Sequence, residues 1–160
     1  MKKPQIKITW ENGEPPQGLI ELDIATALES FLMALDFSGT ALNLMMAGDA
    51  TLRSLNARFR GKDNSTDILS WRYPEEETLP GHPETSGEPP LLGELAVSLE
   101  RVAAQARENG WDEATELMRL LAHGCVHLAG YDHETEEEDR VMQKIEISLL
   151  EKIGLGNLYG

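Results

Sequence analysis

Cysteine is nearly absent from this chain, and the one present, Cys125, cannot close an internal disulfide. That fits a reducing compartment, and a cytoplasmic location is expected. No stretch approaches the roughly 18 uninterrupted apolar residues of a membrane span, so no membrane partner is expected. The amino terminus, MKKPQIKITWENGEPPQG, has no apolar run behind its lysines and is not expected to act as a secretory signal. Basic residues are scarce: 14 Lys and Arg stand against 28 Asp and Glu, a net charge of −14. Such a balance argues against a general polyanion binder, because affinity for nucleic acid rests largely on neutralising phosphates. Histidine is scarcer still, with four in 160 residues.

Three of those four fall in one short window, His123-Gly-Cys-Val-His127-Leu-Ala-Gly130-Tyr-Asp-His133. Residues four apart share a helix face, so His123 and His127 can aim at one point. Gly130 can take the left-handed conformation that ends a helix, and the turn can then bring His133 back to the same point. Three imidazoles without a fourth protein ligand match a catalytic zinc, which keeps one position open for water or substrate. Cys125 lies two residues after His123, off the metal-facing side, and reads as a small buried side chain. The fourth histidine, His82, is expected to be solvated.

The apolar fraction of 41% suits one domain with a real core, spanning residues 1–160. Alternation predicts a strand over Gln5–Trp10, and Asn12–Gly18 is loop composition. Helical spacing over Leu19–Leu35 picks out Leu22, Ala25, Leu28, Leu32 and Leu35 as an apolar stripe. Ala41–Ala47 reads as a strand. Asp49 is the expected N-cap of a helix to about Phe59, with Leu52, Leu55 and Phe59 facing inward. Thr66–Trp71 and Leu91–Val97 are further strands, and Ser98 can cap a helix to Glu108 that stops at Gly110. Asp112–Leu128 is the helix of the first two histidines. Thr135 and Glu138 form a capping box for a last helix to Ile153, which accounts for the acidic run Glu134–Asp139 as favourable charge at a helix start. Between Pro74 and Pro90, five prolines and five glutamates show no periodicity and read as a mobile loop. The expected fold is therefore α/β (α+β): one small mixed four-stranded sheet packed with about five helices, one of them a zincin-like metal helix.

Three neutral imidazoles on zinc lower the pKa of bound water to about 7, a chemistry that serves acyl and phosphoryl transfer alike. The metal does not choose the substrate. The histidine spacing otherwise looks like the longer metzincin pattern, in which a glutamate after the first histidine activates water and protonates the leaving amine. Gly124 stands in that place, which disfavours peptide cleavage while leaving a metallopeptidase as an alternative. The charge distribution adds a second signal. Between Arg53 and Arg72, five basic residues face only Asp63 and Asp67. A locally basic segment on an acidic protein can seat a phosphate chain; the competing reading is a solvated helix end and turn.

His123-Gly-x-x-His127-Leu-x-Gly130-Tyr131-Asp132-His133 is similar to the signature of the endoribonuclease YbeY family of ribosomal RNA maturation factors. Two further blocks agree in order and spacing. Leu55-Asn56-Ala-Arg-Phe59-Arg60, continuing to Thr66-Asp67-Ile68-Leu69-Ser70, resembles one, and Leu92-Gly93-Glu94-Leu95-Ala96-Val97-Ser98 resembles the other. The resemblance covers about the whole domain. It implies one zinc ion on His123, His127 and His133 and cleavage of single-stranded RNA. It also implies work on ribosomal RNA, notably the small-subunit 3′ end, in maturation and ribosome quality control, with the small subunit or assembly factors as partners. Arg60 and His123 are then the catalytic residues, Arg60 holding the scissile phosphate. A fixed guanidinium can meet two non-bridging oxygens as charge builds on them. Lys62 and Arg72 would add weaker contacts to the RNA backbone. The chain departs from the family pattern at Glu94, one methylene longer than the usual aspartate, at Trp71, where phenylalanine is usual, and at Cys125-Val126. A third reading keeps zinc as a non-catalytic staple in a ribosome assembly factor.

Overall fold

The computed structural model describes residues 2–11, 20–74 and 88–159. Within them, β1 (Gln5–Trp10), β2 (Ala41–Ala47), β3 (Ile68–Arg72) and β4 (Leu91–Ser98) form one sheet in the order β1-β2-β4-β3. The first three positions run parallel, and β3 closes the far edge antiparallel to β4. The helices are α1 (Glu21–Ala34), α2 (Asp49–Arg60), α3 (Leu99–Asn109), α4 (Glu113–Leu128) and α5 (Glu136–Lys152). The expected mixed four-stranded sheet with five helices is what forms.

β2 and β4 are apolar nearly throughout because both are central strands with helices over at least part of each face. Leu42, Leu44 and Met46 of β2 join Leu95 and Val97 of β4 on one face, where α1 and α4 cover them. α5 lies over α4 and adds Met142, Leu149 and Leu150 to the same core. On the other face, Leu52 of α2 packs with Ala47, Leu69 and Ala96. Each fully buried Leu or Phe contributes about 1.5–3 kcal/mol, so the layer carrying α4 dominates the stability.

Three expectations are corrected. The buried stripe of α1 is Ile24, Ala27, Leu28, Phe31 and Leu32, while Leu22 is exposed. α1 is apolar on more than one side, and only packing against the sheet and α4 selects the side that carries Phe31. Phe59 is exposed and meets Trp71 edge-to-face at 5.8 Å instead of entering the core. Asp49 is already helical, with extended Gly48 as N-cap. The amides of Gly48 and Asp49 donate to the Glu11 and Glu100 carboxylates, both at 2.9 Å, so this helix start is capped from distant elements. Asp49 instead accepts from the Ser98 hydroxyl at 2.6 Å and from Arg101, and the Ser98 bond holds its carboxyl below the usual range. Ser98 and Thr135 cap α3 and α5 as expected. Asn12–Gly18 and His82 lie outside the described residues, as does 75–87 of the proline-rich segment.

Candidate functional site

α4 is capped by Asp112, whose carboxylate accepts the Thr115 amide at 2.8 Å; hydrogen bonds from the Thr115 side chain and then its amide lower the Asp112 pKa. The helix ends over the sheet. Gly124 lies against the sheet: a Cβ there would sit 2.8 Å from Ile68 Cδ1 and 3.0 Å from Leu95 Cδ2. A side chain at the position of the metzincin glutamate therefore has little room.

One turn of α4 separates His123 and His127, and their Nε2 atoms lie 3.1 Å apart. Two nitrogens bound tetrahedrally to one zinc would be about 3.4 Å apart, so the pair fits a shared ion. Gly130 then takes φ +100°, which an L side chain would resist, and its amide bonds the His127 carbonyl at 2.9 Å. The reversal sets the His133 ring 5.7 Å from His123 and 5.2 Å from His127. The Asp132 carboxylate fixes the turn by accepting the His133 amide at 2.8 Å. One nitrogen from each of the three rings lies within 4.8 Å of the others, and no further Asp, Glu, Cys or His joins the group among the described residues. His123 and His127 are half-buried and His133 is exposed. Burial, and after it the neighbouring imidazoles, lower the His127 pKa and favour the neutral form that ligation requires. The donor set suits a divalent ion with an open position.

The histidines open on a polar cleft of about 700 Å³ that also receives Arg60, Lys62, Asp67, Ser70 and Arg72. Arg60 is the last residue of α2, which left-handed Gly61 terminates. The buried Asn56 side chain donates to the Asn64 carbonyl at 2.9 Å and so holds the turn that carries Lys62. Arg60 Nη2 donates to the Ser70 carbonyl of β3 at 3.1 Å, using one of five N–H donors. Arg72 faces the same cleft but also serves the helix end: its Nη1 donates to the Leu128 carbonyl at 2.8 Å, and its guanidinium lies over the Phe37 ring at 4.9 Å. Glu94 does not join this site. It points to the opposite sheet face, accepts from Asn43 at 3.3 Å and borders a separate hollow with Trp71 and Tyr73. Cys125 is fully buried, and burial pushes its thiol up to about 12.

One residue of the site was missed in the sequence. Glu146 of α5 is 2% exposed, and its carboxylate lies 2.5 Å from His123 Nδ1. The signal was a lone carboxylate within an otherwise apolar stripe of Met142, Leu149 and Leu150.

Comparison with known proteins decides the lineage. The profile described as Endoribonuclease YbeY matches residues 7–154. The chain belongs to the endoribonuclease YbeY family. The Endoribonuclease YbeY of Chelativorans sp. (strain BNC1) is 35% identical over 150 residues, 94% of this chain and 86% of the relative. That of Desulforamulus reducens is 39% identical over 137 residues, 86% of each. The YbeY-family chain also superposes on the solution structure of TM1509 from Thermotoga maritima with a TM-score of 0.56 and 24% identity, covering 92% of this chain and 91% of that one. This last likeness concerns the fold. No helix among the described residues is long and apolar enough to cross a membrane.

Proposed function

We propose that the chain is a single-domain, zinc-dependent endoribonuclease that cuts single-stranded RNA during ribosomal RNA maturation, at the small-subunit 3′ end, and in ribosome quality control. One observation carries the reading: the histidine trio and Arg60, far apart in the chain, open on the same polar cleft. His123, His127 and His133 would hold one zinc ion. When bound, that ion supplies a Lewis acid and a water whose pKa is lowered to about 7.

The protein's own groups do the rest. Arg60, anchored on Ser70, keeps donors for the scissile phosphate and stabilises charge as it develops on the non-bridging oxygens. Lys62 and Arg72 attract the flanking backbone, Arg72 with less freedom because α4 and Phe37 already hold it. Asp132 and Glu134 border the same cleft, so the acidic side repels extra phosphates and limits unspecific binding. The overall charge of −14 favours delivery of RNA within a ribosomal particle in the cytoplasm over capture of bare RNA.

The test is cleavage of a labelled RNA with a single-stranded 3′ extension by zinc-loaded protein, with chelated protein, His123→Ala and Arg60→Ala as controls. Zinc-loaded wild type is expected to cut, and each control to fail, with only the histidine change lowering zinc content. Wild-type rates from metal-free Arg60→Ala would overturn the proposal. A 2′,3′-cyclic phosphate end would identify the RNA's own 2′-hydroxyl as the nucleophile.

The two alternatives are separable. A metallopeptidase would digest casein in a chelator-sensitive way, and the crowding around Gly124 weighs against the glutamate such an enzyme uses. The assembly-factor reading draws on all three histidines lying at the α4–α5 junction, where an ion would tie that junction together. Chelation would then melt the protein with no cleavage to lose, and particle binding would survive Arg60→Ala.

A further inference from the structure

α5 enters the core along Met142, Glu146, Leu149 and Leu150, and Glu146 is the one charged group among them. A carboxylate so deeply buried carries a heavy desolvation cost that a partner must offset. Its partner is His123 Nδ1, at 2.5 Å. A carboxylate beside the second ring nitrogen of a metal-binding histidine ordinarily accepts that nitrogen's N–H, an arrangement that puts the proton on Nδ1. The Nε2 of His123 is then a bare lone pair, and it is this atom that faces Nε2 of His127 at 3.1 Å. A mere packing contact would not require the carboxylate to reach one ring nitrogen while the other is aimed into the histidine cluster.

We infer that Glu146 is a positioning residue: it locks His123 in the Nδ1–H tautomer and directs its Nε2 at the ion held by the histidine trio. The assignment rests on the metal-site reading above and deepens it. By drawing on the Nδ1 proton, the carboxylate also makes the opposite nitrogen a stronger donor to the metal. α5 thus takes part in the site without contributing a ligand, and the pairing explains why a carboxylate occupies a position where a leucine would pack.

Two measurements test the assignment, neither of them using RNA. The first is the nitrogen-15 chemical shifts of the His123 ring in metal-free wild-type protein. A protonated Nδ1 and an unprotonated Nε2 are expected, and the reverse tautomer would overturn the inference. The second is zinc affinity by competition with a chromophoric chelator for wild type, Glu146→Gln and Glu146→Leu, with thermal unfolding measured on each. Glu146→Gln keeps an acceptor of lower basicity and is expected to bind zinc less tightly than wild type. Glu146→Leu should weaken binding by about 10- to 100-fold. Its melting temperature without metal should hold or rise, since leucine suits the surrounding stripe. That divergence between affinity and stability separates positioning from a general structural role. A folded Glu146→Leu protein with wild-type zinc affinity would refute the assignment. If the wild type bound no zinc, the metal reading would fall while the tautomer measurement still decided the Glu146 pairing; if RNA were not cut, neither measurement would change.

Discussion

Replacing Gly93 with alanine tests how closely β3, β4 and the end of α4 approach one another. Gly93 pairs with Arg72 across the antiparallel ladder. A Cβ there would lie 2.1 Å from the Trp71 carbonyl oxygen and 3.0 Å from Leu128 Cδ2. The first contact is with backbone, which cannot swing away as a side-chain tip can. Restoring ordinary contact requires β3 to retreat by about 1 Å, and ladder bonds do not stretch that far. The Tyr73 amide to Leu92 carbonyl bond, 2.9 Å, is the nearest to be lost. Overpacking costs about 1–3 kcal/mol and a lost hydrogen bond about 1 more. Alanine recovers about 0.5–1 kcal/mol through the less flexible unfolded chain. The net destabilisation is about 1–3.5 kcal/mol. At this chain length, each kcal/mol lowers the melting temperature by about 2–4 °C, so a drop of about 2–14 °C is expected. Urea unfolding followed by circular dichroism should give a lower midpoint with an unchanged slope. Zinc affinity should fall too, because Leu128 adjoins His127 and its carbonyl anchors Arg72. A Gly93→Ala protein within about 0.5 kcal/mol of wild type would refute the close approach and the steric argument.

Four other outcomes are expected. Arg60→Ala should leave unfolding within about 0.5 kcal/mol of wild type, because the side chain is exposed, yet lower RNA cleavage by about 10²–10³-fold, and Arg60→Lys should recover only part of the rate in initial-rate assays. Zinc at 100 times its Kd should stabilise the wild type by about 2.7 kcal/mol, an effect that calorimetry should find missing in His133→Ala. Burial raises the Glu116 pKa, but hydrogen bonds from Arg119, Gln105 and Trp111 outweigh it and leave the carboxyl below its ordinary 4.5. Its stabilisation is therefore complete above pH 4.5 and is lost as the pH falls through the folded value; Glu116→Gln should cost about 2–3 kcal/mol at pH 7 and converge with wild type in acid unfolding. Cys125, buried with its thiol pushed up to about 12, should resist an aromatic disulfide reagent until denaturant is added, and rapid labelling of the native protein would contradict its burial.

The local devices of this chain were legible without coordinates because each depends on near neighbours. The strand limits of β1 and β2, the caps at Ser98 and Thr135, and the helix stop at Gly110 follow from periodicity and from backbone amides seeking nearby oxygens. The histidine trio belongs to the same class, since a helical turn and one glycine reversal suffice to gather it. Long-range choices were not legible. Which side of α1 is buried depends on the sheet and α4, and the start of α2 is capped by Glu11 and Glu100, far away in sequence. Glu146 reads as an amphipathic helix's stray charge until packing brings it to His123. Sequence alone thus determined the histidine trio and the elements that carry it, because those rest on spacings of a few residues. Tertiary structure alone decided that Arg60 shares the cleft with the histidines, that Glu94 faces away from it, and that the buried Glu146 carboxylate reaches His123 Nδ1. Contacts of that kind arise only when the sheet brings distant segments side by side.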